Sequence, residues 1–423
     1  MSLLIKTGKN IITPKERKIV LGNFLSLSSL QGINYLLPII VLPYLIRVIG
    51  PEKFGLIAFA QSFAQYFMIL TDYGFSLSAT REISLCHEEN KKICAIFSSV
   101  MTVKIILAIL SFLILLVIIN FVPRFKQDWL IYIFSFGAVI GNSLFPVWFF
   151  QGTEKMGYIA KINIIGGVIY ALCIFIFVKT PKDYLYIPLL NSLFFLITGV
   201  LGLYIVFRKF KVEFIFQTYG KIKQELKTGW DIFVSIVAIN SYTTTRIFAV
   251  GLLTNNIFTG YYSIAEKIAN LIQTFPLTSF SQAIYPRLSN IFAKNKIRAL
   301  KIMRKIQDST TTAFTIVIPI LFLATPWIVS IICGIEYEEV AISLRLLLLS
   351  VFFIGANNFK LQFLLVSGRA DLYAKIHVLA ALAGLPLLFI LINSFSYLGA
   401  AIATIIIEMG IFILTFKIAK KLI

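Results

Sequence analysis

Runs of apolar residues long enough to cross a bilayer constrain this chain more than any other feature. A helix needs about 20 such residues to traverse hydrocarbon about 30 Å thick. Twelve runs qualify: 19–46, 54–78, 95–119, 129–150, 158–178, 184–207, 231–253, 258–284, 311–333, 341–366, 373–392 and 397–416. Ile105–Ile119 and Ile402–Thr415 are nearly free of polar atoms, whereas 231–253 is interrupted by Asn240, Ser241, Thr243–Thr245 and Arg246. Strand alternation is absent, which excludes a β-barrel. Lipid cannot satisfy backbone N–H and C=O groups, so each run must be helical. Composition agrees: charged residues are 14 % of the 423 and hydrophobic ones 58 %. Ordinary globular chains carry about 25 % and about 45–50 %. A soluble enzyme, a disordered chain and a disulfide scaffold are thereby excluded. Cys86, Cys94, Cys173 and Cys333 have no zinc spacing and read as idle or buried thiols. The polar first 18 residues, followed by a span-length run, predict no cleavable signal peptide.

The formal net charge is +20. In a soluble chain that would suggest nucleic acid; here its distribution decides. With the N-terminus in the cytosol, 28 Lys and Arg fall on inner segments and 6 on outer ones. That asymmetry is the positive-inside pattern, and it predicts both termini cytosolic and an even number of spans. Most of the excess is therefore an orientation signal beside anionic lipid headgroups, with no nucleic-acid partner. Outer loops are short, the longest running roughly from Asn120 to Gln127, so no external domain houses a catalytic site. A basic linker divides the chain into lobes 1–207 and 231–423, with 208–230 between them. A repeat supports the division. Phe54-Gly55-Leu56 recurs as Thr259-Gly260-Tyr261, and the exit Arg81-Glu82-Ile83-Ser84 as Arg287-Leu288-Ser289, offset by 205–206 residues. Six helices per half leave both halves in one orientation, as in parallel-repeat transporters. The expected fold is an all-α polytopic membrane protein of 12 transmembrane helices in two six-helix lobes.

Charges inside spans are expensive, so they point to a cavity or a partner. Arg246, Lys267, Arg345 and Lys360 are cationic, and with Arg47 at the outer end of the first span they suit a diphosphate. Arg345 and Lys360, 15 residues apart, fall on one helix face. Ion pairing of Glu266 or Glu408 with one of these cations is the structural alternative, and snorkelling is the alternative for Arg47. Asp72, Glu266 and Glu408 are the groups able to couple transport to an ion. Lys104 lies close enough to the inner surface to snorkel. Asn240, Tyr242, Thr243–Thr245, Asn357 and Asn358 offer hydroxyl and amide partners for sugars, or glue between helices. Pro38 and Pro43 should bend span one. Gly50-Pro51 reads as a tight turn. Trp148-Phe149-Phe150 reads as an interfacial aromatic belt. His87 and His377 fall at inner loops with nothing to mark them. No nucleophile–base pair, metal cluster or phosphate loop appears, so no catalytic residue, metal or cofactor is expected.

Three blocks carry a family resemblance: Leu42-Pro43-Tyr44-Leu45-Ile46-Arg47-Val48-Ile49-Gly50-Pro51-Glu52-Lys53-Phe54-Gly55, Asp72-Tyr73-Gly74-Phe75-Ser76 with Ser78-Ala79-Thr80-Arg81, and Pro146-Val147-Trp148-Phe149-Phe150-Gln151-Gly152-Thr153-Glu154. Together they resemble the Wzx-type polysaccharide flippases of the multidrug/oligosaccharidyl-lipid/polysaccharide (MOP) exporter superfamily. The resemblance implies a non-enzymatic transporter of the bacterial inner membrane. Its substrate would be an undecaprenyl-diphosphate-linked O-antigen repeat unit, moved from the cytosolic to the periplasmic leaflet. The O-antigen polymerase and chain-length regulator are the partner proteins it suggests. A MATE-like drug exporter shares the topology, but such proteins carry a coupling carboxylate in the first span, and 19–46 has no Asp or Glu. MurJ-type lipid II flippases have about two more helices. A membrane polymerase or ligase would need a large basic outer loop. Capsule and teichoic-acid flippases are not separated from O-antigen ones by these residues.

Overall fold

The computed structural model describes residues 14–86 and 89–422, so the basic stretch with Lys6 and Lys9, and His87, lie outside the described residues. The described chain is helical throughout, without a strand: α1 Pro14–Asp72, α2 Phe75–Leu85, α3 Asn90–Phe121, α4 Pro123–Gln127, α5 Trp129–Leu144, α6 Val147–Gly152, α7 Met156–Phe177, a 3₁₀ turn Pro181–Leu185, α8 Tyr186–Lys209, α9 Tyr219–Thr243, α10 Thr245–Leu253, α11 Asn256–Lys294, α12 Lys296–Cys333, α13 Glu338–Val366, α14 Ala370–Phe395 and α15 Tyr397–Leu422. Among the described residues nine helices are long and apolar enough to cross a membrane, or ten when the bent pair α9–α10 counts as one span. The twelve apolar runs coincide with helical segments, the second crossing from α1 into α2, the fourth from α5 into α6 and the seventh from α9 into α10. Runs one and two share α1, divided at Gly50.

The breaks follow from local chemistry. Gly50 takes φ 73°, ψ 170°, a left-handed conformation that suits glycine, and Pro51 restarts the helix. Pro38 and Pro43 lie within α1, and its non-helical backbone occurs at Gly50. Each proline removes one donor and leaves the other helix bonds in place, whereas a left-handed residue cannot belong to a right-handed helix. The polar run in 231–253 yields a 50° bend between α9 and α10.

The aromatic belt is corrected. Trp148, Phe149 and Phe150 are 1 %, 1 % and 0 % exposed, and they pack with Phe75, Ile83 and Phe97 in an inner core. Pro146 ends α5 and turns α6 inward against α2, where Gly152 lies close to Ile83 and to the Thr80 carbonyl.

The two halves meet near the Gly50 end of the bundle. A Cβ at Gly55 would stand 2.0 Å from the Asn256 carbonyl oxygen, and one at Gly260 2.0 Å from that of Pro51. The repeat-related glycines thus let α1 and α11 touch backbone to backbone. Phe248 stacks on Phe59 at 5.3 Å and on Phe63 at 5.6 Å, and the Tyr66 hydroxyl donates to Thr245 Oγ1 at 2.7 Å. Arg124 donates to the Thr254 carbonyl at 3.0 Å. A single buried apolar cluster runs through both halves, from Ile46 and Phe59 to Tyr262 and Leu344.

Candidate functional site

Beside the glycine contact lies a cavity of about 760 Å³ between the halves, walled by α1, α7, α8 and α11. Each wall contributes a helical stripe: Phe54, Ile57 and Gln61; Asn163, Gly167 and Tyr170; Asn191, Phe194 and Phe195; Lys267, Asn270 and Thr274. Spacings of three, four and seven residues put each set on one face, with Phe195 next to Phe194 in the third. Lys267 is the cation on this wall, its Nζ 5.8 Å from the centre of the Phe54 ring. Four side-chain amides, two hydroxyls and three phenyl rings surround it. These amides were missed in the sequence because each is one polar residue inside an apolar run. The signal that could have found them is their shared helical phase with neighbouring aromatics.

The other candidate residues lie elsewhere. Arg246 Nη1 is 3.8 Å from Glu266 Oε1, Nε donates to the Tyr242 carbonyl at 3.1 Å, and Nη1 also approaches Thr404 Oγ1 at 3.4 Å. Tyr262 donates to Glu266 Oε1 at 3.3 Å, and Glu408 faces the same group, its charge acting on Arg246. This is a buried polar cluster inside the second half. His377, expected in a loop, sits within α14 at 7 % exposure, its Nδ1 2.8 Å from the Tyr242 hydroxyl. Of the polar groups named for sugars, Asn240 donates to the Ile236 carbonyl and accepts from Thr244, Thr243 donates to the Ile239 carbonyl, and Asn357 reaches Thr415 at 3.2 Å. They bind their own helices or neighbouring ones.

Removing one member of the Arg246–Glu266 pair breaks a buried ion pair and leaves the other group without its nearest counter-charge. Arg246→Leu or Glu266→Leu is therefore expected to destabilise the protein by about 3–5 kcal/mol, and the double variant to regain only part of that, since Glu408 then also lacks Arg246. Melting of the purified protein in detergent tests this; a double variant no more stable than either single one contradicts the pairing.

Arg47 is at the surface. Its guanidinium donates to the carbonyls of Ile331 and Ile332 in the last turn of α12, which ends at left-handed Gly334. It satisfies helix-end acceptors and ties α1 to α12. Arg345 and Lys360 meet different aromatic neighbours. The Arg345 guanidinium lies 5.6 Å from the Phe322 ring of α12, whereas Lys360 lies 4.8 Å from Phe412 of α15. Lys104, read as snorkelling, is 2 % exposed and pairs with Asp72 at 3.5 Å. Its stem runs inward to Asp72, which supplies the counter-charge there.

The chain was compared with known proteins. Residues 20–292 match the family described as "Polysaccharide biosynthesis protein". An Escherichia coli (strain K12) protein named "Putative O-antigen transporter" is 31 % identical over 391 residues, covering 91 % of this chain and 93 % of that one. A Shigella dysenteriae protein of the same name is 27 % identical, covering 94 % and 99 %. Among solved structures, an inward-facing MATE family transporter of the MOP superfamily superposes with a TM-score of 0.74 at 13 % identity, covering 94 % of this chain and 97 % of that one. An inward closed lipid II flippase MurJ superposes at 0.65 and 14 %, covering 95 % and 87 %. At these identities the two structures bear on the fold alone.

Proposed function

The chain belongs to the polysaccharide biosynthesis protein family and is a multi-pass bacterial membrane transporter rather than an enzyme, and we propose that its cargo is an undecaprenyl-diphosphate-linked O-antigen or related repeat unit. The cargo moves from the cytosolic to the periplasmic leaflet of the inner membrane by alternating access. The observation that carries the reading is the make-up of the cavity wall. Lys267 is a mobile point charge with three donors, suited to a diphosphate. Gln61, Asn163, Asn191 and Asn270 can each donate to and accept from sugar hydroxyls. Phe194, Phe195 and Tyr170 offer flat faces to sugar rings. A cationic drug would meet Lys267 as a like charge, which disfavours a MATE-like multidrug reading. The names of the two relatives supply the cargo class.

In this reading residues 1–207 and 231–423 are the moving lobes and 208–230 the cytosolic linker. The Gly55–Gly260 contact, the Phe248 stack and the Arg47 clasp close the periplasmic side. The opposite state parts them. The polymerase and chain-length regulator of the same polysaccharide would receive the product.

Deleting the gene in its host is expected to leave single lipid-linked units on the inner leaflet and to remove the surface polymer. If units reach the periplasm but stay unpolymerised, the protein acts after translocation and the reading fails. The topology has its own test: reporter fusions at Asn255 and Asn393 should read periplasmic, and at Lys221 and Lys296 cytosolic. A cytosolic signal at Asn255 contradicts it.

A further inference from the structure

We propose that the groove between α12, α13 and α15 is a binding site for an anionic phospholipid of the cytosolic leaflet, separate from the transport cavity. The orientation rests on the topology proposed above; the chemistry does not. Two recesses, of about 740 and 360 Å³, join there and share Asp308, Thr312 and Ile316. Their lining residues all come from the second half, so an occupant does not lie on the path between the halves. Lys301, Arg304 and Lys305 stand at the rim, three and four residues apart and hence on one face of α12. Lys360 reaches the groove from α13, its Nζ 4.8 Å from Phe412 and 5.4 Å from Phe416. Against these four cations stands one carboxylate, Asp308, which leaves the groove strongly positive.

The floor is pre-organised. Gln307 is 2 % exposed, donates to the Ala356 carbonyl at 2.7 Å and accepts from the Phe359 amide at 3.1 Å, which pins α12 to α13 beneath the recess. A rigid site spends less binding energy on ordering. The rim residues precede the apolar run of α12, at headgroup level, and Lys360 lies about 9 Å deeper than the end of α13 at 1.5 Å per residue. Beyond it the surface is apolar and faces lipid: Ile316 is 58 % exposed, Ile320 59 % and Phe416 54 %. A phosphate held at the rim with acyl chains along this track uses every feature of the groove. A free phosphate would leave the track idle. Basic pockets between helices on the cytosolic side are the sites where anionic headgroups bind.

The test uses the purified full-length protein in detergent, with native mass spectrometry and thermal shift as readouts. Phosphatidylglycerol should be retained and should raise the melting temperature, while phosphatidylcholine should do neither. Arg304→Gln/Lys305→Gln, at exposed positions, should weaken phosphatidylglycerol binding roughly tenfold or more, and Lys221→Gln/Lys223→Gln in the linker should not. Binding by the unaltered protein should fall between 0.05 and 0.5 M salt, a measurement that needs no variant. Equal retention of phosphatidylcholine, salt-insensitive binding, or full affinity in the Arg304/Lys305 variant overturns the proposal. Two further results overturn it in favour of another ligand: inorganic phosphate giving the same thermal shift, or undecaprenyl diphosphate displacing phosphatidylglycerol. Translocation is not the readout, so failure here is distinguishable from failure of the transport reading.

Discussion

Lys267→Gln is expected to reduce translocation about ten- to a hundredfold, since a hydrogen bond to a charged group is worth about 1.5–3 kcal/mol. Lys267 is the cation on the cavity wall, and the amides around it cannot replace its charge. Lys267→Arg keeps the charge but presents a larger planar group beside Phe54, and should retain an intermediate rate. Protein abundance in the membrane should stay normal, because Glu266 keeps Arg246 and Tyr262 as partners. Surface polymer in a complemented deletion strain reads out the effect. Full activity in Lys267→Gln at normal abundance removes the residue from the site.

Gly55→Ala and Gly260→Ala should each abolish most transport, and to similar extents. At both positions the added methyl meets backbone, 2.0 Å from the Asn256 carbonyl oxygen in one case and 2.0 Å from that of Pro51 in the other. No side chain can rotate away, so α1 and α11 must separate. Overpacking of this kind typically costs about 1–3 kcal/mol, and here it falls on the contact that the proposed cycle makes and breaks. Similar effects are expected because the added methyl meets a backbone carbonyl oxygen at the same distance in both. Gly410→Ala, where the added methyl meets nothing within 4 Å, serves as the control and should be neutral or slightly stabilising. Normal transport in either variant would mean that the contact is dispensable.

The helices were legible because lipid leaves one solution for a long apolar run, and length alone identifies it. The Gly50-Pro51 turn and the weak 231–253 run were legible for the same local reason, since left-handed glycine and clustered polar groups act within a few residues. The resemblance to polysaccharide flippases, carried by Leu42–Gly55 and the blocks that follow, also held as a family assignment. What stayed hidden depends on which helix lies next to which. Arg345 and Lys360 share a nominal face of α13, yet one packs on α12 and the other on α15. Lys104 has the sequence position of a snorkelling residue, but Asp72, 32 positions away, stands beside it. Trp148-Phe149-Phe150 reads as a belt by composition and is core by packing, because Pro146 redirects α6. The amides of the cavity gather from four helices and carry no signal in any one of them. The repeat was visible as Gly55 and Gly260; that the two touch each other was not.

The most direct measurement is translocation by the purified protein in proteoliposomes. A fluorescent undecaprenyl-diphosphate oligosaccharide is incorporated, and its irreversible bleaching by a membrane-impermeant reductant added on the outside is followed over time. Spontaneous crossing of a diphosphate-linked sugar is very slow, so protein-free vesicles should hold about half of the signal protected. Vesicles containing this protein should lose that protected half, and vesicles containing Lys267→Gln should lose it at least about tenfold more slowly. Protection that persists in the presence of the unaltered, folded protein, or identical rates for it and for Lys267→Gln, would contradict the account.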